Sequence, residues 1–111
     1  MINIEKIKEY TGADEEFIAM LFKKFLSHLD EDLEVLRSEA ANENWVNVRK
    51  KTHAMLSSAN IFHLEDIVAL SKEIEAKVDD NDFDDLIDMT HELTTSYDNL
   101  RSEIETWLSL V

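Results

Sequence analysis

The sequence has no cysteine, no proline and a single glycine, Gly12, in 111 residues. Without cysteine there is no disulfide framework, no thiolate nucleophile and no zinc ribbon, and a reducing compartment, the cytoplasm, is the expected setting. Hairpins and tight strand connections draw on glycine and proline at their turns. Their near absence beside many Glu, Leu, Lys and Ala residues argues for helices joined by short polar links. Cations are also scarce, with 11 Lys and Arg against 25 Asp and Glu for a net charge of −14. A surface of that sign repels phosphate backbones and anionic lipid, so nucleic acid is not an expected partner. No apolar run approaches membrane-spanning length, and the first residues lack the basic-then-apolar pattern of a secretory signal, so no membrane partner is expected either.

What is present has helical period. The length suits one domain spanning 1–111, large enough for one continuous core. Ile4 to Tyr10 read as a short leading helix, with the only glycine where a left-handed C-terminal cap is wanted. Asp14 is placed to cap a long helix of about 40 Å at 1.5 Å per residue. Its apolar stripe reads Phe17, Leu21, Phe25, Leu29, Leu33, Leu36 and Ala40. Asn42 or Asn44 can cap the next helix, which ends near Asn60 to His63. Leu64, Ile67, Val68, Ser71, Ile74 and Val78 line a fourth segment. After the acidic stretch Asp79 to Asp82, a last helix carries Phe83, Leu86, Ile87, Leu93, Tyr97, Leu100, Ile104, Trp107 and Leu108 on one side. The expected fold is all-α: an antiparallel four-helix bundle with a short extra N-terminal helix.

Within this acidic chain lies one basic island. From Trp45 to Leu64 the sequence reads WVNVRKKTHAMLSSANIFHL, with Arg49, Lys50 and Lys51, no Asp or Glu, and His53 two residues beyond Lys51. At about 100° per residue, Trp45, Val48, Thr52, Met55, Leu56 and Ala59 share one sector, which is the expected buried face. His53 lies outside it, among Val46, Arg49, Lys50, Ser57 and Asn60. An imidazole at the edge of a bundle, with two cations in reach and a small residue one turn on, suits a site that receives or holds a phosphoryl group.

The segment His53-Ala54-Met55-Leu56-Ser57-Ser58-Ala59 resembles the motif of histidine phosphotransfer (HPt) domains, roughly His-x-Leu-Lys-Gly-Ser-Ser. Asn44-Trp45 before it, Leu64 to Glu75 after it and Gly12-Ala13-Asp14 before the long helix are similar to that family as well. The chain departs from the pattern in places: Met55 stands for the usual leucine, a near-neutral change of volume, Leu56 replaces the lysine and Ser57 the glycine, and Phe62 replaces another glycine that often ends the helix. Lys50 or Arg49, on the other side of the imidazole, can cover the missing lysine.

The resemblance implies a phosphoryl carrier in a two-component phosphorelay. His53 would be the acceptor, taking a phosphoryl group from the aspartate of a receiver domain and passing it to another. Receiver domains of response regulators or of hybrid sensor kinases are the implied partners. Arg49 and Lys50 would balance charge on the transferring group, and Ser57, Asn60, Val46 and Ile61 would neighbour the phosphate or the docked partner. There is no phosphate-binding glycine loop, so neither nucleotide binding nor kinase activity is expected. No cofactor is expected in the chain; magnesium, where the chemistry uses it, comes with the receiver. A monomer is expected.

Two other readings stand beside this one. The bundle can serve as a docking or regulatory module without phosphorylation, its altered motif reflecting lost transfer. It can also hold a metal, although Asp79 to Asp85 lack the loop glycine and distal glutamate of an EF-hand, and no Glu-x-x-His pair occurs. His28 and His91 are expected at the surface, and His63 at a helix junction.

Overall fold

The computed structural model describes residues 2–111, and all its regular structure is helical: α1 (Ile4–Thr11), α2 (Glu15–Ala41), α3 (Trp45–Ile61), α4 (Glu65–Asp79) and α5 (Leu86–Leu110). α2 packs on α3 and α5, α4 packs on the same two, and α1 closes one end against α2 and α3. The four long helices therefore complete an antiparallel cycle with α1 as the extra element. The molecule measures 43 × 23 × 18 Å, its long axis set by the 27 residues of α2.

Local chemistry fixes the helix ends. Asn3 caps α1 by accepting from the Lys6 amide, and Asp14 caps α2 by accepting from the Phe17 amide at 2.9 Å. Gly12 adopts the left-handed cap expected of it, at φ 68°. The next three corners repeat that device without glycine. Glu43, His63 and Asn81 take φ values of 56°, 54° and 54°. In each case the following amide bonds back five residues, Asn44 to Glu39, Leu64 to Ala59 and Asp82 to Lys77, at 2.8–2.9 Å. These six-residue closures are short enough to keep consecutive helices antiparallel neighbours. They also explain how a chain with one glycine turns so tightly.

The core runs the length of the bundle. It includes Leu29, Leu33 and Leu36 of α2, Val48 and Ala59 of α3, Ile74 of α4, and Leu93, Tyr97 and Ile104 of α5, all fully buried. Each large side chain among them contributes about 1.5–3 kcal/mol by leaving water. On α3 the six residues read from period, Trp45, Val48, Thr52, Met55, Leu56 and Ala59, are the buried face.

Three expectations need correction. The inward stripe of α2 begins at Ile18 and Phe22, not Phe17, which is half exposed; Leu21 and Phe25 flank the stripe. The shift arises because α1 and the end of α5 enclose the first turns of α2, and Phe22 packs edge-on against both Phe62 and Trp107. Asn42 ends α2; Asn44 takes the N-cap position of α3, as one of the two expected alternatives, but its side chain donates to Glu39 and makes no capping bond. Phe83 precedes α5 and stacks on Trp45 with ring centroids 6.5 Å apart, and Ile87 is exposed.

Candidate functional site

His53 stands on the outer edge of α3 beside α4, its side chain 67% exposed. Its Nδ1 lies 2.7 Å from Oε1 of Glu75, a residue only 8% exposed. Glu75 sits beside Ile74 and Val78 on the inward edge of α4. A carboxylate this buried is held in place by its partners. Besides the imidazole, Arg49 Nη1 lies 3.7 Å from the same oxygen. Because a carboxylate only accepts, the bond places a ring proton on Nδ1, so that in the neutral tautomer Nε2 is the nitrogen with the free lone pair.

One turn before His53, Arg49 clasps Asp79 at two points: Nε donates to Oδ1 at 2.7 Å and Nη2 to Oδ2 at 3.1 Å. That bond holds the Asp79 carboxyl below its ordinary range and raises the guanidinium further. Lys51 turns the other way, to Asp32 on α2 at 3.0 Å, with both side chains about a quarter exposed. The island that is free of acids in the sequence is therefore not free of them in space. α4 supplies Glu75 and Asp79, α2 supplies Asp32, and two of the three island cations are paired. Lys50, exposed, makes no ion pair among the described residues. The expected pair of free cations, Arg49 and Lys50, is thus reduced to Lys50 on α3.

The other sequence-derived residues spread along the same helix. Ser57, one turn beyond His53, is exposed and leaves the approach to the imidazole open. Asn60 is exposed and lines a cleft with Tyr10, His63, Val68, Ala69 and Lys72. Val46 is 63% exposed one turn before Lys50, whereas Ile61 is partly buried against the core. Leu56, at the position of the motif lysine, is 8% exposed and packs inward.

His28 and His91 are exposed, and His63 forms the α3–α4 corner with its ring edge-on to Tyr10 at 4.8 Å. Among the described residues no group of three or more His, Asp or Glu side chains is arranged to hold a metal ion. No described helix is long and apolar enough to cross a membrane.

Glu75 and Asp79 are the residues that sequence reasoning missed. A faint signal existed for the first: Glu75 falls four residues after Ser71 and next to Ile74, on the apolar side of its helix. In comparisons with known proteins, the family model described as Hpt domain matches residues 20–103, from the second turn of α2 to within two turns of the end of α5. No curated protein and no solved structure matches the chain.

Proposed function

The chain belongs to the Hpt domain family, and on that premise we propose that it is a phosphoryl carrier whose acceptor is His53. The family implies phosphotransfer in two-component systems and interaction with receiver domains. The observation that carries the finer reading is the 2.7 Å contact between His53 Nδ1 and Glu75. It supports a ring that keeps a proton on Nδ1 and, in its neutral form, offers Nε2 as the nucleophile.

In the proposed step the Nε2 lone pair attacks the phosphorus of a receiver's aspartyl phosphate. The N–P bond forms as the P–O bond breaks, and its electron pair leaves with the aspartate carboxylate. The ring gains positive character while Nδ1 keeps its proton, and the Glu75 carboxylate is already in place to stabilise that charge. The reverse sequence delivers the group to a second receiver. Glu75 is a positioning residue, and Arg49, through Asp79 and Glu75, orients it. Lys50 supplies free charge that draws an acidic receiver site and balances the phosphoryl oxygens. The working state is a cytoplasmic monomer, and the receiver belongs to a response regulator or a hybrid sensor kinase.

The packed Leu56 at the position of the motif lysine favours a second reading, a docking module that has lost transfer. Incubation with a phosphorylated receiver domain separates the two. Carriage requires the receiver to lose its phosphoryl group as this chain gains one; a docking module binds the receiver and leaves the phosphoryl group on it.

A further inference from the structure

Two contacts define the register of α3 on α4. Arg49 pairs with Asp79, and four residues further along α3, His53 pairs with Glu75, four residues back along α4. The same antiparallel register sets Asn60 opposite Val68, and these two line one cleft. Between those rungs, Leu56 stands opposite Lys72. Lys72 is exposed, lines the cleft beside Asn60, and makes no hydrogen bond or ion pair among the described residues. Glu75, three residues on, is its neighbour on the same side of α4.

From this placement we infer that Lys72 is the cation that meets the phosphoryl group on the α4 side of His53, a role that Leu56 of α3 is too apolar and too buried to fill. The inference rests on the carrier reading of His53. A phosphoryl group on Nε2 brings close to two negative charges to an edge that already carries Glu75 and Asp79. Arg49 is spent on those two carboxylates and Lys51 on Asp32. The cations left to answer that charge are Lys50 on one flank of the imidazole and Lys72 on the other, about one helical turn, or roughly 5 Å, along the seam from His53. An unpaired lysine on a flexible stem can follow the phosphoryl group as it moves between receiver and carrier, which a clasped arginine cannot.

The test uses the full chain and a receiver domain phosphorylated on its aspartate, comparing wild type with Lys72→Ala, Lys72→Glu and Lys72→Arg. Because Lys72 is exposed and unpaired, all three variants should retain the wild-type helix content and melting temperature. Lys72→Ala is expected to slow phosphoryl transfer about tenfold, equivalent to about 1.4 kcal/mol. Lys72→Glu should slow it further, and Lys72→Arg should restore the rate to within about twofold, as charge and not length is required. Rescue by arginine is a readout that a merely structural lysine would not give. A Lys72→Ala rate equal to wild type, or an arginine variant as slow as alanine, overturns the inference while leaving His53 as acceptor. Failure of the wild-type chain to take label at all overturns the carrier reading, and this inference falls with it.

Discussion

Glu75 holds the imidazole of His53 from a different helix, its Oε1 2.7 Å from Nδ1. The two residues are 22 positions apart, so the orientation of the candidate nucleophile depends on how α4 packs against α3 and not on the histidine helix alone. If the contact sets the tautomer, Glu75→Ala should slow phosphoryl transfer by at least about tenfold with the chain still folded. Glu75→Gln, whose amide oxygen can still accept from Nδ1, should fall between the two. Single-turnover transfer from a phosphorylated receiver measures both.

The clasp between Arg49 and Asp79 makes an acid-side prediction. The Arg49 hydrogen bond lowers the Asp79 carboxyl from its ordinary 3.8 in the folded chain. A group depressed in this way stabilises the fold above its unfolded value and loses that contribution as pH falls through the folded one. The melting temperature of Asp79→Asn should therefore lie slightly below wild type near neutrality, and the gap should close below about pH 4. Asp79 is exposed and Arg49 partly so, and the effect is correspondingly small. A gap that stays constant down to pH 2 would show that the pair contributes nothing through its ionisation.

Ser57 sits in the open one turn beyond His53, where a receiver must bring its aspartate within bonding distance of the imidazole. Ser57→Gly should leave transfer intact at a stability cost of about 0.5 kcal/mol from helix propensity. Ser57→Phe should leave the bundle folded and strongly impair exchange. Thermal melts with transfer rates decide it, and normal exchange by a folded Ser57→Phe chain would mean that the receiver approaches over another edge.

Tyr97 is fully buried in α5, its hydroxyl has no hydrogen-bond partner among the described residues, and burial pushes its ionisation well above the ordinary value. Removing an unsatisfied buried hydroxyl costs little or stabilises. Tyr97→Phe should thus match or exceed wild-type stability by up to about 1 kcal/mol, whereas Tyr97→Ala should lose about 3–5 kcal/mol to the cavity. Chemical denaturation of the two variants provides the comparison. A Tyr97→Phe chain less stable than wild type by more than about 1 kcal/mol would reveal a partner for that hydroxyl.

Composition and period together give the helical class, and period gives the buried face of α3 and the edge position of His53, because the last two depend on spacing within one helix. The surroundings of His53 were not legible in the same way. Glu75 and Asp79 reach the site only through the register of α3 on α4, which no local pattern specifies, and a glutamate on an amphipathic helix ordinarily reads as solvated. Arg49 reads as a free cation in the sequence for the same reason: its partners lie 26 and 30 residues away. The misplaced stripe of α2 has a similar origin, since Phe17 and Ile18 are adjacent and only the packing of α1 and α5 decides which one turns inward. The left-handed corners at Glu43, His63 and Asn81 carry no glycine to announce them.

Localisation of the phosphoryl group tests the central claim most directly. Intact-mass analysis and peptide mapping of the chain after incubation with a phosphorylated receiver should find one phosphoryl group, on His53, lost on mild acid treatment and absent from His53→Gln at unchanged helix content. Label that persists in His53→Gln, or that maps to His28, His63 or His91, would contradict the account.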